Sequence, residues 1–466
     1  MSEEDKNVIN LEEIRKKIEE GAVSYSSIIP DDPWLKQLNE KHAFIHSYGG
    51  KSVITNQVYN VAFDREIIEF ISPTTFETIY SNQTVQVDKI KVELGKWWIR
   101  NSDRRQYQTV IFDPSKPREY NNCLNLWEGF SVVPTKGTWK YTLKHIYKIL
   151  CNSDHNKFSY VIKWLSWLVQ NPGERAQVAI VFKGLEGTGK GFLLSQFVQI
   201  FGRHAMHISN REHLTGKFNG HLGLCCFLFA DEAFYPGDKQ VAGTMKQLIT
   251  EEKIPIERKG AETIVSRNNL HVAMATNEDW VINASDNQRR FFINKVEDKY
   301  AKGRLSELHR KLYFSRLFTE MDNGGREAML FDLLNMNIGD FHPRYNIPDT
   351  EELYVQIKLS RDKLKAAMFE MIEDGIFPGE IKNGEYAIGA AELYSYLERQ
   401  EPLVKTFSSV KKADLIKLLG AKKKRDNKGN LWIFPDLPIV RRNWDENIGK
   451  EKWNKLAEWN VIKSEY

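Results

Sequence analysis

The chain has 466 residues, with 66 Lys and Arg against 62 Asp and Glu, a formal net charge of +4, 41% hydrophobic and 12% aromatic residues. This length exceeds one ordinary core and predicts roughly two to four domains. No window approaches the roughly 18–20 unbroken apolar residues of a membrane span, so no membrane partner is expected, and +4 is too small a total to argue a nucleic-acid partner unless the charge is concentrated locally.

The opening "MSEEDKNVINLEEIRKKIEEG" is acidic and lacks an apolar signal core, which predicts a cytoplasmic protein. Within it, Leu11, Ile14 and Ile18 fall on one face of a helix over 9–21, capped by Asn10 and stopped by Gly21. From about Ala43 to Phe130, β-branched and aromatic runs broken by turns predict a small β-rich N-terminal domain, bounded at 1–135. Cys123, Cys151, Cys225 and Cys226 form no C-x-x-C pair, and neither zinc nor disulfides are expected.

Helical spacing over 142–169 predicts two helices in a subdomain at 136–175, ended by "QNPGER". A motor core is expected at 176–300, where the apolar runs "AQVAIVF", "CCFLFA" and "LHVAMAT" read as buried parallel strands alternating with helices, an α/β sheet. A helical segment and linker follow at 301–350. The last unit, 351–466, reads as helices followed by a basic strand–turn–strand, "AKKKRDNKGNLWIF", a winged-helix-like domain.

The stretch "FKGLEGTGKGF" joins the first buried strand to a helix. In the pattern G-x-x-x-x-G-K-[ST], Gly184, Gly189 and Lys190 fit, but Gly191 stands where a hydroxyl would reach magnesium. A glycine loop at a helix N-terminus cradles phosphate with free N–H groups and the helix dipole, so Gly184, Gly187, Thr188, Gly189, Lys190, Gly191 and Phe192 form the candidate nucleotide-binding set, with ATP and Mg2+ as expected cofactors. The bland alternative is a glycine turn before an ordinary helix. "CCFLFADEAF" ends a strand in Asp231, a candidate magnesium ligand, and Glu232, a candidate base for the attacking water. The same pair elsewhere is often a surface turn; about 40 residues past a glycine loop the catalytic reading is better.

"VAMATNEDW" ends a strand in Asn277, a candidate contact to the γ-phosphate or lytic water, or else an Asn-initiated turn. In "DNQRRFF", Arg289 and Arg290 are either a surface ion pair or arginines that stabilise charge on a neighbour's nucleotide. Between these lies "MKQLITEEKIPIERKGAETIVSRNN", a hairpin with Arg258, Lys259 and Gly260 at its tip, either solvated or gripping a DNA phosphate.

The order of these parts resembles a superfamily 3 (AAA+-like) helicase, and more narrowly the helicase domains of phage and mobile elements that are often fused to a primase-polymerase. The phrases "WLSWLVQNPGERAQVAIVFKGLEGTGKGF", "GKFNGHLGLCCFLFADEAF", "MKQLITEEKIPIERKG" and "ATNEDWVINASDNQRRFF" carry it over about 155–295, and "CLNLWEGFSVVP" extends it to about 120. Glycine after the loop lysine is a familiar variant in that group. The resemblance implies a P-loop NTPase core and ATP-driven movement on single-stranded and forked DNA as a homo-hexamer, in the host cytoplasm if phage-encoded. By position it gives Lys190 as the loop lysine, Asp231 and Glu232 as the acidic pair and Asn277 as the sensor. Arg290 matches the trans-acting finger, with Arg289 auxiliary, and Arg258 and Lys259 match the DNA-gripping tip. The first 130 residues offer no compact D-x-D or H-x-D group, so a helicase without its own primase is expected, with a separate primase-polymerase as partner.

From Val404 to Asn430, nine Lys and Arg stand against two Asp, a net of +7, among them Lys422, Lys423, Lys424 and Arg425. That asymmetry predicts a phosphate-binding surface; the alternative is a lysine-rich solvated face. Two further readings share these features: an initiator ATPase that remodels DNA without processive unwinding, and a nucleotide-gated DNA-binding protein without turnover.

Overall fold

The computed structural model describes residues 33–61, 65–87, 90–210, 216, 219–232, 239–257, 263–282, 289–426 and 429–462. The helix expected at 9–21 and the hairpin tip with Arg258 and Lys259 lie outside the described residues. The protein is a mixed α/β structure with several separate sheets. No described helix is long and apolar enough to cross a membrane.

The N-terminal part is less purely β than its sequence texture predicts. Three antiparallel strands, Phe44–Tyr48, Lys51–Asn60 and Arg65–Ile71, are joined at one edge by Gln106–Tyr107. Helices Pro33–Lys41, Pro73–Ile79 and Leu94–Arg100 cover them around a small core of Leu38, Ile54, Phe76, Trp97 and Trp98. The helix Pro73–Ile79 is set by Ser72, whose hydroxyl accepts the Thr75 N–H, with proline in the first turn.

The centre is a five-stranded sheet of β1 (Ala179–Lys183), β2 (Ala205–Ile208), β3 (Phe227–Asp231), β4 (His271–Thr276) and β5 (Phe291–Lys295). The spatial order is β2-β3-β4-β1-β5, and every neighbouring pair is parallel. Both faces are covered, which is why the apolar runs within β1 and β4 show no alternation and both strands are buried at every position. Helix α1 (Lys190–Phe201) follows β1, and the helices His155–Gln170 and Arg326–Asn335 contribute Trp164, Leu165, Leu168, Leu330 and Leu333 to the core on the same side. The helical run at 142–169 is not continuous: a helix at Lys140–His145 runs into a π turn at Ile146–Leu150, and Asp154 then starts the next helix by accepting the Asn156 and Lys157 N–H groups.

The C-terminal part has its own core, with Trp432 and Trp444 fully buried. Its order is helix Lys363–Glu373, hairpin Glu380–Lys382 and Glu385–Gly389, helices Ala390–Gln400 and Ser409–Leu418, hairpin Lys422–Asp426 and Gly429–Phe434, then helix Leu437–Asn447. The arm Gly429–Phe434 pairs with both Lys422–Asp426 and Glu385–Gly389, so the basic hairpin continues a four-stranded antiparallel sheet.

Phe292 on β5 is fully buried and lies 4.8 Å, centroid to centroid, from Tyr160. Phe292→Ala should therefore destabilise the central unit by about 3–5 kcal/mol, read as a lower urea midpoint of its unfolding transition. The buried imidazoles of His145 and His271 are each pushed down to about 4 by burial. In the unfolded chain they protonate near pH 6.5, so between about pH 6.5 and 4 the unfolded state binds more protons. Stability should fall as pH is lowered through that window and level off above it. Denaturation at a series of pH values checks this, and His145→Gln should flatten the slope.

Candidate nucleotide site

The parallel register decides which side chains meet. Lys183 at the end of β1 is level with Thr276 on β4, and Asp231 on β3 is level with Ala275. The glycine loop, the acidic pair and Asn277 therefore leave the sheet at the same edge.

The loop enters α1 through Gly189, which has φ +90°, a left-handed conformation where a side chain is costly. A Cβ there would also lie 2.7 Å from His145 Cε1. Thr188 is fully buried and donates its hydroxyl to the Leu185 carbonyl at 3.0 Å, shaping the loop from inside. Lys190 Nζ donates to the Gly184 carbonyl and, at 2.8 Å, to that of Leu185. Burial lowers its pKa, while Glu232 and Asp231 act in the opposite direction. Phe192, expected within the nucleotide-binding set, turns its ring into the interior, edge-on to His145 and Phe318. Its side chain packs between the helices Lys140–His145 and Glu307–Glu320.

Gly191 is not enforced by crowding. A Cβ there would meet Phe229 Cζ at 3.5 Å and Asp231 Oδ2 at 4.0 Å, both ordinary contacts. The position thus faces Asp231 but brings no hydroxyl.

Glu232 is held in an uncommon backbone state, φ +53°. Its N–H donates to the Ala275 carbonyl, and its carboxylate accepts from the Asn277 N–H at 3.0 Å and from the Thr276 hydroxyl at 3.4 Å. The left-handed kink swings the carboxylate from β3 across to the end of β4. A non-glycine residue in this conformation, clamped on both sides, is the kind of local strain that collects at functional sites. Asn277 itself is exposed beside it.

Asp231 is a half-exposed carboxylate at a strand end. Among the described residues no three His, Cys, Asp or Glu side chains group into a metal cage. That donor set fits magnesium, which typically takes one or two carboxylates together with substrate phosphates and water.

Arg290 lies at the other end of the sheet. Its carbonyl accepts from Ala179 N–H at the start of β1, and Phe291 is level with Ala179. At about 3.3 Å per residue, that is roughly 16 Å along β1 from the glycine loop, too far for its side chain to serve its own site. Arg289 beside it is exposed.

Three residues near the loop carry no sequence signal. His145 Nε2 lies 3.2 Å from the Gly189 carbonyl and its Nδ1 is 2.9 Å from Tyr313 Oη. Arg310 reaches over the loop crest, its Nη2 occupying the space that a Cβ on Gly187 would need; its Nε donates to the Tyr300 carbonyl. Lys183 makes a buried ion pair with Glu352 at 2.9 Å. His145 and Tyr313 are 168 residues apart and Lys183 and Glu352 are 169 apart, and Arg310 meets the loop only through the fold.

The basic C-terminal patch is partly neutralised. Lys422, Lys423, Lys424 and Arg425 are exposed. Lys412, counted with them by sequence, is instead buried against Glu398 at 2.7 Å, and Lys411 and Lys424 pair with Asp362 and Glu385. The acidic partners come from other elements, so a count over 404–430 overstates the local field.

Residues 182–290 match a family described as "Family of unknown function (DUF5906)". The chain is 26% identical over 191 residues to the DNA Primase-polymerase of Nitratiruptor phage NrS-1; the match covers 39% of this chain and only 26% of that protein, about a quarter of its length. The apo structure of the NrS-1 C terminal region (305-718) superposes with a TM-score of 0.62 at 18% identity, covering 87% of this chain and 99% of that one. An A form apo structure of the same region gives 0.62 at 17%, covering 86% and 98%. At such identity the likeness is one of fold, and it extends from the N-terminal part through the central sheet to the C-terminal unit.

Proposed function

We propose that this chain is an ATP-hydrolysing DNA helicase of superfamily 3 type, acting in phage or mobile-element replication as a ring, most simply a hexamer, on single-stranded and forked DNA. The observation that carries the reading is the clamp on Glu232. A carboxylate strained out of one strand and fixed by the Asn277 N–H and Thr276 hydroxyl of the next, on the same edge as a glycine loop and a buried lysine, is arranged to orient water beside a phosphate. The strand order β2-β3-β4-β1-β5 supports a P-loop NTPase core of AAA+ type. The likeness to a phage DNA primase-polymerase supports a role in replication.

In this reading the loop N–H groups and Lys190 bind the β- and γ-phosphates, and Arg310, from the helix Glu307–Glu320, adds a cation from the same chain. Glu232 takes the proton of the attacking water, with Asn277 beside it. Asp231 would hold magnesium, which supplies charge neutralisation on the phosphates. Arg290 points to a ring: being a strand length from its own loop, it acts on a neighbour's nucleotide. The basic hairpin with Lys259 and the strand Lys422–Asp426 are the proposed DNA contacts, and a primase-polymerase is the proposed partner.

Phosphate release and strand displacement test the assignment. Glu232→Gln should bind nucleotide yet lose hydrolysis and unwinding, while Lys190→Ala loses binding as well; wild-type turnover in Glu232→Gln sinks the reading. DNA-stimulated hydrolysis without strand displacement would point instead to an initiator that remodels DNA. Arg290→Ala should lower turnover by about 10³-fold or more with assembly retained. Mixing it with Lys190→Ala should recover part of the activity, because one mutant supplies the loop and the other the arginine. No recovery in rings that exchange subunits would mean the arginine does not act in trans.

A further inference from the structure

The acidic end of β3 has a neighbour that neither the glycine loop nor the sensor position supplies. His207, the third residue of β2, is level with Phe229 on β3, and its ring lies flat on the Phe229 ring at 4.4 Å with 5° between planes. Along β3, Asp231 comes two residues after Phe229 and so lies on the same face. His207 Nε2 is 3.4 Å from Asp231 Oδ2. Gly191 looks onto this face as well, with its missing Cβ 3.5 Å from Phe229 and 4.0 Å from that same Oδ2. A loop hydroxyl would therefore arrive beside the oxygen that His207 approaches from β2.

We propose that His207 is a positioning residue for Asp231, holding the Oδ2 side of the carboxylate and so doing part of the work that a Ser or Thr at position 191 would do. The inference rests on the nucleotide reading of the site. Imidazole is a poor ligand for magnesium, which prefers oxygen; His207 acts through the carboxylate, as hydrogen-bonded partners of ligating groups do. Stacking on Phe229 fixes the ring plane, so the contact costs little side-chain freedom. The half-exposed carboxylate, with no hydroxyl on the loop side, would otherwise sample several rotamers.

The test uses the full chain with Mn2+ in place of magnesium. Binding of Mn2+ in the presence of ADP is read by electron paramagnetic resonance, and ADP binding without metal is read in EDTA with a fluorescent ADP. His207→Phe keeps the stack and removes the N–H. Mn2+ affinity should drop by about 10–100-fold with metal-free ADP binding unchanged. His207→Gln, which restores an N–H donor, should recover much of the loss, and so should Gly191→Ser placed in the His207→Phe background. Unchanged Mn2+ affinity in His207→Phe overturns the proposal. Equal weakening of ADP binding with and without metal also overturns it, since that marks a merely structural role, as does failure of both rescues. If wild type and Lys190→Ala bind neither ADP nor Mn2+·ADP, the nucleotide reading itself has failed and takes this inference with it.

Discussion

Everything at the candidate site depends on the parallel register of three strands. Pairing β1 with β4 and β4 with β3 brings the glycine loop, Asp231 and Asn277 to one edge of the sheet, although they are far apart in the chain. In an open parallel sheet that edge, at the carboxyl ends of the strands, is where ligands bind. A shift of one residue between β3 and β4 would turn Asp231 to the opposite face and pull Glu232 away from the Thr276 hydroxyl. The burial of β1, β4 and most of β3 prevents that slip, because any other register would leave apolar side chains without their packing.

The same register explains why the two arginines have different reach. Arg310 follows β5, after the chain has come back to the loop edge, and its guanidinium lies over Gly187. Arg290 precedes β5 and so starts at the far edge. Their positions follow from strand direction alone. Arg310 therefore lies within reach of the chain's own glycine loop and Arg290 does not, which is why the proposed function gives Arg290 to a neighbouring copy.

Much of this was legible in the sequence. Buried parallel strands announce themselves as short apolar runs, and "AQVAIVF", "CCFLFA" and "LHVAMAT" fall on β1, β3 and β4, the only discrepancies being a few residues at the ends. The hairpin arms Lys253–Ile256 and Ile264–Arg267 and the two strands of the basic segment, Lys422–Asp426 and Gly429–Phe434, are present as well. Illegible were the contacts made by packing: His145 on Gly189, His207 on Asp231, Arg310 over the loop. A histidine on an apolar helix looks the same in sequence whether it braces a glycine loop or fills a core. Charge counting failed at Lys412 for a similar reason, since its neutralising partner Glu398 sits on another helix. The helices of the N-terminal part were hidden because "PTTFETI" and "LGKWWIR" are short and rich in β-branched or aromatic residues, so tertiary packing rather than propensity makes them helical.

The loop that carries Asn277 is also tied to the part of the chain that leads into the C-terminal unit. Gln356, fully buried on the helix Glu351–Ser360, accepts from the Val281 and Ile282 N–H groups and donates to the Asp279 carbonyl and to Glu352. Glu352 in turn pairs with Lys183 at the end of β1, and Ser360 links Trp280 to the Ile282 carbonyl. Buried polar groups are costly unless each finds its partners, so the helix can dock here in few ways. Lys183 immediately precedes the glycine loop, and Asn277 sits two residues before Asp279. A displacement of either would have to move the helix with it, or break the Lys183–Glu352 pair on one side or the Gln356 hydrogen bonds on the other. The packing that fixes the candidate site therefore also connects it to the helix Glu351–Ser360, which leads into the C-terminal unit.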